Sequence, residues 1–144
     1  ANWPHTLGRD GARTPIPWVA DAPNAGFSHG APWLPVDPTH RMLAVDVQER
    51  NDASTLHFAR RAIDLRRRLP ALRTGGIRML DTPEPVLAFL RGEGRDALLC
   101  VFNLGARPAA WKPDGDWDVV EAFNAPLDLS KELPGLAGIV ARRR

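Results

Sequence analysis

The sequence predicts an α+β chain: a long irregular stretch, one strong amphipathic helix, and then a run of short antiparallel strands. Three observations carry that reading. Proline and glycine interrupt the first fifty residues and leave few periodic segments. Between Thr55 and Leu69 apolar residues recur at helical spacing. From Ile77 onward the pattern switches to short apolar runs separated by turn clusters.

The irregular region comes first. Its densest part is Gly8-Arg9-Asp10-Gly11-Ala12-Arg13-Thr14-Pro15-Ile16-Pro17-Trp18. Gly11 breaks any periodicity, and Pro15 and Pro17 remove backbone donors and push their predecessors towards extended geometry, so the stretch is expected to be a rigid, ordered loop. Arg9 and Arg13 sit four apart around Gly11, so a bend there aims one guanidinium at a ligand and the other at a carboxylate. Chemistry alone favours the plainer alternative, an Arg–Asp knot that holds the loop. Trp3, Trp18, Phe27 and Trp33 are expected to anchor the region.

Asp52 or Ser54 offers an N-cap for the helix. Phe58, Ala62, Leu65 and Leu69 recur on one face, with Leu56, Ala59 and Ile63 beside them, giving a broad apolar stripe. Arg60, Arg61, Arg66, Arg67 and Arg68 occupy the rest, the basic end suits the negative end of the helix dipole, and Pro70 is expected to end the helix. The strands are read at Ile77 to Leu80, Val86 to Leu90, Ala97 to Leu104, Ala109 to Trp111, Trp117 to Ala122 and Gly138 to Arg142. Repeated short strands at this spacing argue for an antiparallel sandwich or sheet.

Composition sets bounds on function. Lysine and arginine number 19 against 17 carboxylates, a net charge of +2, so the basic pI does not mark a nucleic-acid partner. Such a partner needs a clustered basic face with aromatics or a known module. Cys100 lies within an apolar run and is read as core; a single cysteine permits a reducing compartment. Nothing at the start resembles a signal peptide, and no apolar run reaches membrane-spanning length. A cytoplasmic location is expected, with the periplasm as the alternative, and no membrane partner.

No pair of catalytic carboxylates stands out in the sequence. Acid–base work by carboxylates needs two of them in distinct environments. Asp46, Glu49, Asp52, Glu84, Glu93, Asp96, Asp114 and Asp116 all fall in turns or at element ends and read as solvated or capping groups. His5, His29, His40 and His57 lack metal-binding spacing, so neither a metal site nor a cofactor is expected.

The loop motif nevertheless closely resembles the Gly-Arg-Asp-X-X-Arg-Thr-Pro-Met-X-Trp segment of α-glucosidases and oligo-1,6-glucosidases in the α-amylase family of glycoside hydrolases (family 13). Ordered landmarks extend the resemblance: Asn24 to Ser28, Pro32 to Val36, Val45 to Gln48, Ser54 to Leu56, Arg66 to Leu72, Val86 to Arg91 and Val101 to Leu104. Ala12 and Ile16 depart from the usual Cys and Met. The resemblance implies the end of a (β/α)8 barrel, its active-site loop and last helix, over 1–75, and a C-terminal antiparallel β-sandwich domain over 76–144. It implies that the catalytic carboxylates lie upstream and that the chain alone is inactive. One site residue carries over: Arg9, reaching the non-reducing-end glucose of an oligosaccharide substrate, with no catalytic residue in the chain. Asp10 and Arg13 are assigned to holding the loop.

Two rivals stay open. One is a sucrose or trehalose isomerase or a glucosyltransferase of the same family. The other is a stand-alone carbohydrate-binding or structural β-domain with Trp111 and Trp117 as its platform. A segment lacking its barrel is also expected to associate with itself, or dock on the missing part, through the helix face and the loops around Trp3, Trp18 and Trp33.

Overall fold

A computed structural model describes residues 9–129 and 132–144. Trp3, His5 and Gly8 lie outside the described residues. The backbone divides into two compact units, residues 1–61 and 62–144.

The first unit is built mostly of turns. Short 3-10 segments occupy Asp10–Ala12 and Pro38–Leu43, a kinked turn occupies Pro23–Gly26, and a short helix, α1, spans Val45–Glu49. The longer helix α2 spans Thr55–Arg68 and crosses the division between the units. Ser54 begins it: its hydroxyl accepts the His57 N–H at 3.3 Å, its carbonyl accepts the Phe58 N–H, and its own hydroxyl donates to the Gln48 carbonyl. That hydroxyl satisfies a helix donor left open by the chain's geometry. Gln48 adds a second cap, its side-chain oxygen accepting the Leu56 N–H at 3.0 Å.

The helix ends at Arg68, ahead of Pro70, as the sequence expectation has it, but Pro70 itself keeps helical geometry. It sits in the right-handed helical region and starts a further turn, α3 (Ala71–Thr74). Proline has no donor to lose in a first helical turn, which makes it a good starter there.

The second unit is a five-stranded antiparallel sheet. Its strands are β1 (Ile77–Met79), β2 (Val86–Arg91), β3 (Leu98–Asn103), β4 (Trp117–Phe123) and β5 (Ala137–Arg143), in the order β1-β2-β3-β5-β4. β3 is central, and alternate side chains send Leu99 and Val101 to one face and Leu98 and Cys100 to the other. Both faces are therefore covered, and Leu99, Val101 and Ile139 are fully buried. On one face Leu65 of α2 packs with Leu98, Cys100 and Val140, flanked by Leu69 and Leu72. On the other, Leu133, Trp111 and Trp117 pack over Val86, Ala88, Ile139 and Ala141.

Where the sequence suggests a sandwich, the described residues form one sheet. The expected strand at Ala109 to Trp111 is a single bridge between Ala109 and Leu133, with N–H to carbonyl distances of 2.9 Å both ways. Pro108 and Pro113 bracket that run and supply no donors, which stops a second ladder from growing. The covering segment is pinned instead by Asn103, buried at the end of β3. Its amide donates to the carbonyls of Arg107, Leu133 and Pro134 at 2.8–3.0 Å, and its oxygen accepts the Gly105 N–H at 2.9 Å. Gly135 passes so close that a Cβ there would meet the Ala106 carbonyl oxygen at 2.2 Å.

Cys100 is core, as expected from its apolar neighbours, and burial pushes its thiol up to about 11. A thiol that is neutral at physiological pH and enclosed on a sheet face is a packing group, not a nucleophile.

Candidate functional site

The Arg9–Trp18 loop is ordered by its backbone. Arg9 caps the 3-10 turn Asp10–Ala12, with Ala12 N–H on the Arg9 carbonyl and Arg13 N–H on the Asp10 carbonyl, both at 3.0 Å. The expected Arg–Asp knot is absent among the described residues: Arg9, Asp10 and Arg13 are exposed, with no ion pair joining their side chains. The backbone closes the loop, and among the described residues no side chain pairs with the Arg9 guanidinium. Asp10, Gly11 and Thr14 line a cleft of about 370 Å³ whose other wall is Leu34–Pro38; Arg9 does not line it. In that wall Asp37 accepts Thr39 N–H at 2.8 Å and its hydroxyl at 2.7 Å, bonds that hold its carboxyl below the usual range.

The far end of the loop is clamped by two landmark segments from elsewhere in the unit. Pro17 and Trp18 offer their carbonyls to Val45 and Asp46 N–H at 3.1 Å. The Trp18 and Val19 N–H groups both donate to the Ala25 carbonyl, at 2.8 and 3.1 Å. To reach them, Asn24, Ala25 and Gly26 take three successive positive φ angles of 50°, 51° and 70°. Left-handed backbone is costly for Ala25, and the hydrogen bonds around it over-determine the turn. A side chain at Gly26 would also be tight, since a Cβ would sit 3.2 Å from Val19 N. Asn24 braces the turn through its amide, which donates to the Ser28 and Gly30 carbonyls at 3.0 Å.

Two residues close this clamp that the sequence reading did not credit. Asp46, read as a solvated or capping carboxylate, accepts the Ala20 N–H at 3.0 Å and pairs with Arg50 at 2.7 Å. Arg41, not singled out, donates to the Ala20 and Ala22 carbonyls. Both bonds join residues more than fifteen positions apart, a separation that leaves no mark in local periodicity.

The aromatic anchors divide. Trp18 is fixed through its backbone while its side chain stays 51% exposed, and Trp33 is 84% exposed and anchors nothing. Phe58 and Ile63 on the apolar stripe of α2 are 43% and 54% exposed. Two further carboxylates are engaged on the helix surface: Glu49 binds Arg60 at 2.6 and 2.8 Å, which lowers its pKa, and Asp64 pairs with Arg68. Among the described residues no three His, Cys, Asp or Glu side chains come together to hold a metal, and no helix is long and apolar enough to cross a membrane.

Comparison with known proteins places this loop in context. The family model for the α-amylase catalytic domain matches residues 1–75. A probable α-glucosidase of Rhizobium meliloti (strain 1021) is 43% identical over 107 residues, covering 74% of this chain and 19% of that protein. A trehalose synthase/amylase of Mycobacterium tuberculosis is 41% identical over 111 residues, covering 69% of this chain and 18% of that protein. Among solved structures, an α-glucosyl transfer enzyme matches with a TM-score of 0.80 and 41% identity over 99% of this chain and 27% of its own. The chain thus spans about a fifth of the length of the curated relatives it matches.

Proposed function

The chain belongs to the α-amylase family of glycoside hydrolases, and from that premise we propose that it is one segment of an α-glucosidase-type enzyme. In this reading residues 1–75 complete a catalytic barrel and residues 76–144 form the C-terminal β-domain. The enzyme cleaves α-glucosidic bonds of oligosaccharides with retention, through a glucosyl–enzyme intermediate on carboxylates outside this segment. The observation that carries the reading is the braced Arg9–Trp18 loop, with its free guanidinium, inside the stretch that matches the catalytic-domain model.

The chemistry of Arg9 suits the role. A guanidinium presents five N–H donors in one plane, never titrates in the working range, and matches the oxygens of neighbouring sugar hydroxyls. The clamped loop fixes the backbone position of Arg9, while the exposed side chain keeps rotamer freedom that binding has to offset. Exposed Trp18 and Trp33, and the open stripe of α2, are surfaces for the rest of the enzyme to cover, or for a second copy. Light scattering of the chain at micromolar concentration reads that association.

A second reading has its own support, because relatives named for glucosyl transfer and trehalose synthesis match as well as the glucosidase does. One experiment separates the cases. The 144-residue chain is expected not to hydrolyse nitrophenyl α-glucoside. The enzyme encoded by the extended reading frame is expected to release α-glucose from it, with retention seen by NMR. Turnover by the chain alone, kept through repeated purification, contradicts the reading. Isomerised or transferred sugar as the main product, with sucrose or maltose supplied, selects the second.

A further inference from the structure

The sheet unit carries an open cleft of about 460 Å³, inside the range of roughly 300–1,000 Å³ typical of small-molecule sites. Its floor is apolar, with Leu80, Leu90 and Trp111 packed on the core face of the sheet. Its rim is charged: Arg78 of β1, Asp81 just after it, Lys112 and Asp114 from the following turn, and Arg143 of β5. Trp117 of β4 braces that rim. Its indole N–H donates to the Asp114 carbonyl at 2.9 Å, and the Arg143 guanidinium lies 5.8 Å from the ring centroid. The two indoles are therefore floor and wall, not the exposed platform expected from sequence.

The five rim charges form no ion pair with one another. Donors and acceptors are thus interleaved around an apolar base. An anion entering the cleft would meet Asp81 and Asp114, and a cation would meet three positive groups. A neutral polyhydroxylated ligand satisfies both sets, since each hydroxyl donates to a carboxylate and accepts from a guanidinium or ammonium. Its C–H face would lie on the apolar floor. We propose that this cleft is a second carbohydrate-binding site, separate from the Arg9 loop, taking a neutral oligosaccharide of about disaccharide size. The site is argued from the cleft alone; only the choice of an α-linked glucose oligomer as probe rests on the preceding reading.

The test is titration of the 144-residue chain with maltotriose, followed by calorimetry and by NMR shifts of the Trp117 indole. Saturable binding is expected. The rim double variant Arg78→Ala/Asp114→Asn should weaken it roughly tenfold or more with the thermal midpoint unchanged, and Arg9→Ala should leave it intact. Absence of saturation, binding that survives the rim variant, or binding lost with Arg9→Ala overturns the proposal. So does inorganic phosphate saturating the cleft while maltotriose does not.

Discussion

The two units solve the problem of order by different means. In the sheet unit, side chains do the work: β3 is buried on both faces, and Leu99, Val101 and Ile139 are closed off from water. In the loop unit the backbone does it. Few side chains are buried there, Ala25 and Ala44 among them, while Trp33, Met42 and Leu43 stand exposed. Hydrogen bonds from Asp46, Arg41 and Asn24 to distant backbone groups supply the missing constraint. Burial of apolar surface, worth about 25 cal/mol per Å², therefore contributes less to order in the loop unit than in the sheet unit.

The sharpest way to break this contrast is Asn103→Leu. It strips the Arg107 and Pro134 carbonyls and the Gly105 N–H of their partner beneath the covering segment. These groups are part-buried, so each loss is at the low end of about 1–3 kcal/mol, and the sheet unit should lose on the order of 2–5 kcal/mol, read by thermal or urea unfolding. A loss below about 1 kcal/mol would mean that water replaces the amide and the covering segment is not pinned there.

Asp46→Ala should have a smaller and more local effect. It removes the acceptor for Ala20 N–H and the partner of Arg50, costing about 1–2 kcal/mol. The expected signature is faster amide exchange at Ala20 and faster proteolysis around residues 17–28, with the exchange of β3 unchanged. Equal acceleration in both regions would show that the two units do not order independently.

The smallest effect belongs to Glu49 and Arg60 on the surface. The Arg60 hydrogen bonds lower the Glu49 pKa in the folded state, so the folded chain holds its proton less tightly than the unfolded one. That contribution is present above the unfolded carboxylate pKa and is lost as pH falls through the lower folded value. Glu49→Gln should therefore lower the melting midpoint slightly at neutral pH and not at all in strong acid. A difference that persists in acid would point to packing instead of charge.

How far the sequence could be read follows the same division. The sheet was legible because its code is local: short apolar runs at Val86 to Leu90 and Ala97 to Leu104, with turn clusters between them, placed those strands within a residue. The helix start at Ser54 was legible from a capping residue before an amphipathic run. Ala109–Trp111 was over-read as a strand, since apolar character does not reveal that flanking prolines starve a ladder of donors. In the loop unit the motif was visible but its bracing was not. Arg41 and Asp46 act across distances that no window of sequence spans, and the left-handed Ala25 contradicts its own propensity. Arg9 was found by resemblance; the geometry adds that its side chain, with no ion pair to Asp10, is available.

The measurement that bears most directly on the central claim is steady-state kinetics of Arg9→Ala and Arg9→Lys in the enzyme that contains this segment. A lost charged hydrogen bond to substrate should lower kcat/KM on α-glucosides by roughly ten- to a hundredfold, about 1.5–3 kcal/mol, with an unchanged melting temperature. Lysine should restore only part of it, because a point charge cannot reproduce a planar fork of donors. Full catalytic efficiency in Arg9→Ala, with normal melting, would contradict the account.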